Sequence, residues 1–251
     1  AFLAAKSNKG AGDTVYVRGN SGSFNGFPNN PANGYAQLLI NGLQGTATSP
    51  CVFTNYPGES PLFDFSSVIV QAARPSPTAL SIFSSTYLKI KGLRFYGYNQ
   101  IWDGTGVSRG VELNGCSNIT IEQCEVFSFQ GTGFFISGGT NDVLYLNCDS
   151  HNNEDPFSDA ISATSGTLVA GRVYKITNYV AGDNFSNVAN VISGTINTTN
   201  CDFIATGTTP TNWTNGSSIV YGGDAWDNAD GFGITGSGNN ANNITFQGCR
   251  A

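Results

Sequence analysis

The sequence is poor in charged residues. Only 11% of its 251 residues are Asp, Glu, Lys or Arg, against about 25% in an average globular protein. The 11 Lys and Arg residues form no basic run, and the formal net charge is −6. A groove that follows nucleic-acid phosphates needs clustered positive charge. We therefore expect no nucleic-acid partner.

Long apolar runs are also missing. A membrane-spanning helix needs about 20 consecutive apolar residues, and no run in the chain approaches that length. The chain begins at Ala1 without a signal-peptide pattern. We expect a processed or excised piece of a protein that is soluble, monomeric, and secreted or held at the cell surface.

The sequence has little material for a zinc site. Its six cysteines contain no C-x-x-C pair, and His151 is its single histidine. Structural zinc sites need four Cys or His ligands at short spacings. We therefore expect no zinc.

Aligned repeats are the main feature that is present. One set carries Cys at its last position, or Leu in one copy, and a second set begins with Gly. The first set is 88–93, 119–124, 143–148 and 244–249, and the second is 110–113, 133–136 and 231–234. Between Cys124 and Cys148 the first set advances by 24 residues, and the second set advances by 23 over the same stretch.

This repeat predicts a parallel β-helix. A period of 23–24 residues with two short alternating strands and Gly/Asn/Ser turns is too short for helical hairpin repeats. Crossover chirality and the family likeness described below favour a right-handed coil. The residues Leu93, Cys124, Cys148 and Cys249 would form one inward ladder of small buried side chains, rather than disulfides.

One interval breaks the period. From Gly133 to Gly231 the sequence advances by 98 residues, which is about four times the period of one coil. After His151 comes a stretch rich in Thr, Val and Ile with strand and turn signals of its own. We predict an all-β fold with β-helix over 1–160, a small all-β insert over 161–221, and a continued β-helix over 222–251.

Carboxylates carry the predicted chemistry. Asp149 directly follows a ladder cysteine, and Asp224, Asp227 and Asp230 follow the insert. With the insert left out, these residues fall on one edge of consecutive coils. Such a cluster needs a cation to offset its repulsion, and Ca²⁺ accepts six to eight oxygen ligands. The alternative is that these residues only cap turns.

Several segments resemble the pectate lyases of polysaccharide lyase family nine. The segments are 12–19 (GDTVYVRG), 45–47 with 55–59 (GTA and NYPGE), 147–150 with 152–153 (NCDS and NN), 228–232 (NADGF) and 248–251 (GCRA). The resemblance covers most of the chain outside the insert. It implies a right-handed β-helix that cleaves a uronic-acid polymer such as pectate by calcium-assisted β-elimination.

The resemblance also implies roles for single residues. Asp149, Asp227 and Asp230 would be the calcium ligands, with Asp224 a weaker candidate. Arg250 follows the ladder cysteine as Asp149 does one coil earlier, so it is a candidate for binding a substrate carboxylate. The family's catalytic lysine belongs to the coil that would follow Ala251, so no catalytic base is assigned here.

Three cations on an earlier coil are interpreted as solvated charges at strand edges. They are Lys89, Lys91 and Arg94.

The insert leads to an alternative function. Its sequence resembles small β modules of phage tail and marine bacterial surface proteins, in the segments 166–177, 181–185 and 205–216. The alternative is therefore a non-catalytic β-helical adhesin or tail protein that binds glycans. A binder favours an exposed aromatic platform, whereas Trp102, Trp213 and Trp226 are scattered along the chain. The lyase is therefore the favoured interpretation.

Overall fold

The computed structural model describes residues 10–19, 22–27, 36–70, 78–100, 108–129, 131–153, 161–221, 231–235 and 241–251. Within these ranges the regular structure is all strand, and no helix there is long and apolar enough to cross a membrane. The strands are β1 (Thr14–Val17), β2 (Ala36–Asn41), β3 (Cys51–Asn55), β4 (Leu62–Asp64), β5 (Ile69–Val70), β6 (Thr78–Phe83), β7 (Thr86–Lys91), β8 (Arg94–Gln100), β9 (Ser108–Asn114), β10 (Ser117–Glu122), β11 (Glu125–Phe129), β12 (Gly131–Ser137), β13 (Asn141–Leu146), β14 (Asp149–His151), β15 (Ile161–Ala163), β16 (Val173–Asn178), β17 (Ala189–Ser193), β18 (Cys201–Ala205), β19 (Ser218–Tyr221), β20 (Phe232–Ile234) and β21 (Asn242–Gln247).

Three parallel sheets form the walls of the β-helix. Sheet A has the order β1-β3-β7-β10-β13-β21, sheet B has β4-β8-β11-β14, and sheet C has β2-β6-β9-β12-β20. Strand β5 also pairs with β8. The chain visits A, then B, then C in each coil. Each inner strand of a sheet pairs with the strand one coil earlier and the strand one coil later.

The register confirms the sequence alignment residue by residue. Ile119 pairs with Leu88 on one side and with Val143 on the other, and Val143 pairs in turn with Ile244. In sheet C, Phe134 pairs with both Val111 and Phe232, so the glycine-led segments also stack. The predicted parallel β-helix is therefore confirmed.

The cysteine ladder is present at the corner between sheets A and B. The carbonyls of Leu93, Cys124 and Cys148 each accept a hydrogen bond from the next coil. The donor is the backbone N–H of the residue that follows the ladder cysteine of that coil. These three side chains are buried, Cys249 is half-buried, and all six cysteines are free. Burial raises the pKa of Cys148 to about 12. The thiol is therefore protonated and inert, as a packing residue should be.

The rest of the interior consists of stacks of like side chains. On sheet A the buried residues Phe53, Ile90, Ile121 and Tyr145 occupy one register position on successive coils. On sheet B the ring of Phe63 lies 5.3 Å from that of Phe95. Each side chain packs on its equivalents above and below, so the inward positions are mostly apolar. An exception is the buried Ser150, which stands in register with Val126 on sheet B.

A residue with left-handed backbone marks each corner between sheets A and B. Gly92, Gln123, Asn147 and Gly248 have φ between 53° and 65°. Glycine and asparagine adopt this conformation at little cost, and it turns the chain sharply between two strands. The next residue then points inward and the one after it points outward.

Residues 161–221 form a separate sheet between β14 and β20. Its five antiparallel strands have the order β15-β19-β16-β18-β17. A second hydrophobic cluster, which includes Tyr174, Phe185, Phe203 and Trp213, fills this segment. The predicted combination of a β-helix with a small all-β insert is therefore present.

A buried carboxylate fixes one loop of the insert. Asp183 accepts backbone N–H bonds from Thr214, Asn215 and Ser217 at 2.8–2.9 Å. Burial alone would raise the pKa of this carboxyl, but the hydrogen bonds outweigh burial and lower its pKa to about 2. Asp183 therefore serves loop structure rather than chemistry.

The stacked interior predicts a large difference between the two faces of β10. Ile121→Ala leaves a cavity between Ile90 and Tyr145, so it is expected to lower the free energy of unfolding by about 2–5 kcal/mol. Thr120→Ala, on the outer face of the same strand, is the control and is expected to stay within about 0.5 kcal/mol. Urea unfolding followed by circular dichroism measures both, and equal losses would contradict the assignment of faces.

Candidate functional site

A row of four charged residues crosses the outer face of sheet B. In register on successive coils stand Arg94, Glu125, Asp149 and Arg250. Each follows the inward ladder residue of its own corner, and strand alternation turns it outward. The order of charges along the helix axis is positive, negative, negative, positive.

Two cross-coil ion pairs link this row. The Arg94 Nε–H donates to Glu125 Oε2, and the Arg250 Nη2–H donates to Asp149 Oδ2. The other oxygen of Glu125, Oε1, lies 3.0 Å from His151 Nε2. Both oxygens of Glu125 are therefore held by nitrogen atoms.

The two middle members of the row are both carboxylates. Glu125 and Asp149 are direct register partners, and like charges opposite one another in adjacent strands repel. Partial burial by itself would raise the pKa of Glu125, but hydrogen bonds from His151 and Arg94 outweigh it, so the pKa lies below the usual value of 4.5. Each of the two carboxylates has an arginine partner that offsets this repulsion, Arg94 for Glu125 and Arg250 for Asp149.

An aromatic row runs beside the charged row. On successive coils stand Tyr96, Phe127 and His151, and their rings stack with centroid distances of 5.1 and 5.2 Å. Because the rings face one another along the helix axis, they turn their edges outward. The row therefore braces the charged residues more than it offers a flat stacking surface.

The structure brings some of the predicted site residues together. Asp149 and Arg250 are bridge partners on neighbouring coils. Asp224, Asp227 and Asp230 lie outside the described residues, so their convergence with Asp149 stays a prediction. In the part of the chain that is described, no cluster of three or more Cys, His, Asp or Glu suited to a metal is found.

The three cations of the earlier coil lie on two different faces. Lys89 and Lys91 stand on the outer face of sheet A, where both contact Glu122. Arg94 stands on sheet B, in line with Asp149 and Arg250. The sequence predicts the same role for all three cations, so it does not indicate that Arg94 lies on a different sheet from the lysines.

Glu125 was not predicted from the sequence either. A signal for it exists, because the corners repeat the order of left-handed residue, inward residue and charged residue. The four copies are Gly-Leu-Arg at 92–94, Gln-Cys-Glu at 123–125, Asn-Cys-Asp at 147–149 and Gly-Cys-Arg at 248–250. The third residues of the four copies are the four members of the charged row.

A shallow groove of about 490 Å³ lies on the outer face of sheet A. Its lining includes Tyr87, Lys89, Thr120 and Leu144. The groove shares no lining residue with the charged row of sheet B. It is therefore a surface separate from the one that bears Asp149.

These coils define a parallel β-helix with a charged outer face. The family model described as "Pel9A-like, right handed beta helix region" matches residues 1–202, more than half of the chain. The chain belongs to this family. Its β-helix is therefore right-handed and Pel9A-like.

Two solved structures are similar to part of the chain. A rhamnogalacturonan lyase is 21% identical with a TM-score of 0.45, over 61% of this chain and 36% of that one. An alginate lyase from Paenibacillus sp. str. FPU-7 is 15% identical with a TM-score of 0.41, over 59% of this chain and 41% of that one. The chain thus spans less than half of either protein. No curated protein matches it.

The contacts of Glu125 predict a pH-dependent contribution to stability. Because its pKa is lower in the folded protein than in the unfolded chain, the contribution is present above the unfolded pKa and is lost as the pH falls through the folded pKa. Glu125→Gln is expected to cost about 1 kcal/mol near neutral pH and little near pH ~3. Urea unfolding of both proteins across this range measures it, and a difference that does not vary with pH would contradict it.

Proposed function

We propose that the chain provides the calcium-binding and substrate-binding coils of a polysaccharide lyase that cleaves a uronic-acid polymer, such as pectate, by β-elimination. The observation that carries this proposal is the register of Asp149 with Arg250 on one outer face. A carboxylate suits a hard cation, and a guanidinium suits the carboxylate of a uronate. Membership in the Pel9A-like family supports the same reaction class.

The chemistry requires that negative charge be stabilised on the substrate. β-Elimination transfers the C5 proton, α to the C6 carboxylate, to a base, and negative charge develops on that carboxylate. The C4–C5 double bond then forms as the glycosidic oxygen leaves C4. Calcium, when bound, would neutralise the carboxylate and stabilise this charge. Asp149 fits as a ligand because its carboxylate lies on the outer face and is paired through Oδ2 alone, with an exposed arginine. Asp227 and Asp230, with Asp224 as a weaker candidate, complete the proposed ligand set.

Arg250 is proposed to bind and orient the substrate. Its side chain is 81% exposed although it pairs with Asp149. Exposed ion pairs contribute little free energy, so the guanidinium can exchange this partner for a uronate carboxylate. The reaction also needs a base, and the proposal gives that role to no residue of 1–251.

The proposal also includes a location and a partner. Acidic polysaccharides of this class lie outside cells, so the protein would be secreted or held at the cell surface. It would act as a monomer on the polymer.

Calcium binding tests the proposed ligand directly. Asp149→Asn removes a charged oxygen ligand and is expected to weaken Ca²⁺ binding at least about tenfold. Asp142→Asn is the matched control and should bind as the wild type does, because Asp142 lies near the start of β13 on sheet A, where it contacts Asn243. Calorimetric titration measures all three proteins. Equal binding by the wild type and Asp149→Asn would refute the assignment.

Product analysis separates the lyase from the binder. Cleavage of polygalacturonate by elimination gives unsaturated uronates, which absorb in the ultraviolet, and EDTA should abolish their formation. The assay uses a protein that also contains the coil expected to carry the base, because the proposal places no base in residues 1–251. Saturable retention of the polymer by that protein without this product would favour the alternative of a glycan-binding adhesin or tail protein.

A further inference from the structure

Arg94 differs from the other cations of its coil in where it stands. Lys89 and Lys91 share Glu122 on sheet A, whereas Arg94 belongs to the charged row of sheet B. On the far side of Arg94 the row continues with Leu62. Within the described residues the row is therefore bounded by an arginine at each end.

The two arginines flank the carboxylates at equal distances. Arg94 lies one coil from Glu125, and Arg250 lies one coil from Asp149. Since adjacent strands are about 4.8 Å apart, the two arginine positions are roughly 14 Å apart along the helix axis. A polymer of uronates laid along this face would present several carboxylates over that length.

The Arg94 guanidinium is held in place without being enclosed. Its Nε–H donates to Glu125 Oε2, and its Cζ lies 5.5 Å from the centre of the Phe127 ring. Arginine has five N–H donors, so donation through Nε leaves the terminal NH₂ groups for another partner. The side chain is 37% exposed, which gives a ligand access to it.

The neighbours of Arg94 add polar groups on the same face. Tyr96 lies two residues along the same strand, so its half-buried ring points to the same side. The ring of His151 closes the aromatic row two coils away. A phenol and an imidazole suit sugar hydroxyl groups as hydrogen-bonding partners.

We propose that Arg94 forms a second carboxylate-binding subsite, which takes a uronate unit of the polymer distant from the unit bound at Arg250. This inference rests on the proposed function, because it presumes an acidic polysaccharide on sheet B. Glu125 is then a positioning residue that orients the guanidinium. Arg94 contributes to substrate binding rather than to the bond-breaking step.

The competing explanation is an ion pair that only supports the fold. In that case removing Arg94 would change stability and leave polymer binding unchanged. Loss of any one positive charge would weaken binding equally if only the general electrostatic field mattered. Lys91→Ala supplies this control, because it removes one charge of similar exposure from sheet A.

The test measures retention of the chain in gels that contain polygalacturonate, with methyl-esterified polymer as the uncharged comparison. Arg94→Ala is expected to weaken binding to polygalacturonate about tenfold, the loss of one charge-assisted hydrogen-bonded contact. Arg94→Lys should restore part of the binding, since it returns the charge without the planar fork. Lys91→Ala should bind within about twofold of the wild type.

Each outcome has one meaning. If the wild type binds polygalacturonate and Arg94→Ala and Arg94→Lys bind equally well, the subsite is refuted and the proposed function stands. Equal losses in Arg94→Ala and Lys91→Ala also refute it. If the wild type is not retained by any uronate polymer, with calcium present, the proposed function itself fails. Should Arg94→Ala not fold, Arg94→Lys decides. Binding weaker than that of the wild type supports the subsite, and binding at the wild-type level refutes the proposed role of the guanidinium.

Discussion

In-register pairing of parallel strands between successive coils is the interaction on which the rest of the structure depends. Because each strand of a sheet hydrogen-bonds to the coil before and the coil after, a residue's neighbours are its equivalents in the repeat. Inward positions thus form apolar stacks such as Phe53, Ile90 and Ile121. Outward positions form rows in the same way, so that Arg94, Glu125 and other charges separated by dozens of residues become adjacent.

The corner between sheets A and B places the charged residues of the row on the outer face of sheet B. One left-handed residue, such as Asn147, turns the chain, the next side chain closes the core, and the third points outward. The corners use the inward position for Leu or Cys and vary the outward position between cation and carboxylate. The core is therefore kept constant while the charge of the face is set coil by coil, in agreement with the rule that function lies in sites placed on a fold.

The sequence was sufficient for most of the fold because a solenoid repeats its local pattern. Aligning Cys124 with Cys148 and Cys249 already fixed the register of sheet A, and the long gap after Gly133 located the insert. The sequence predicts only part of the charged row, because it singles out Asp149 and Arg250 but not Glu125. The outward side chains of one coil do not need to resemble those of the next, so their periodicity is hidden unless the corner is read as a unit.

The acidic segment at 222–230 could not be placed in the same way. In the sequence it lies between the insert and β20, and no repeat copy aligns with it. Its relation to Asp149 was inferred from the resemblance and from leaving out the insert. That inference does not rest on strand pairing, and the relation belongs to the proposed function.

The central claim is that the outer face of sheet B receives an acidic polysaccharide beside a cation. A crystal structure of the chain with calcium and an oligogalacturonate of defined length tests this claim most directly. The account predicts a cation bound by Asp149, with uronate carboxylates at Arg250 and Arg94. An oligosaccharide in the groove of sheet A, or a face of sheet B with neither cation nor sugar at saturating concentrations, would contradict it.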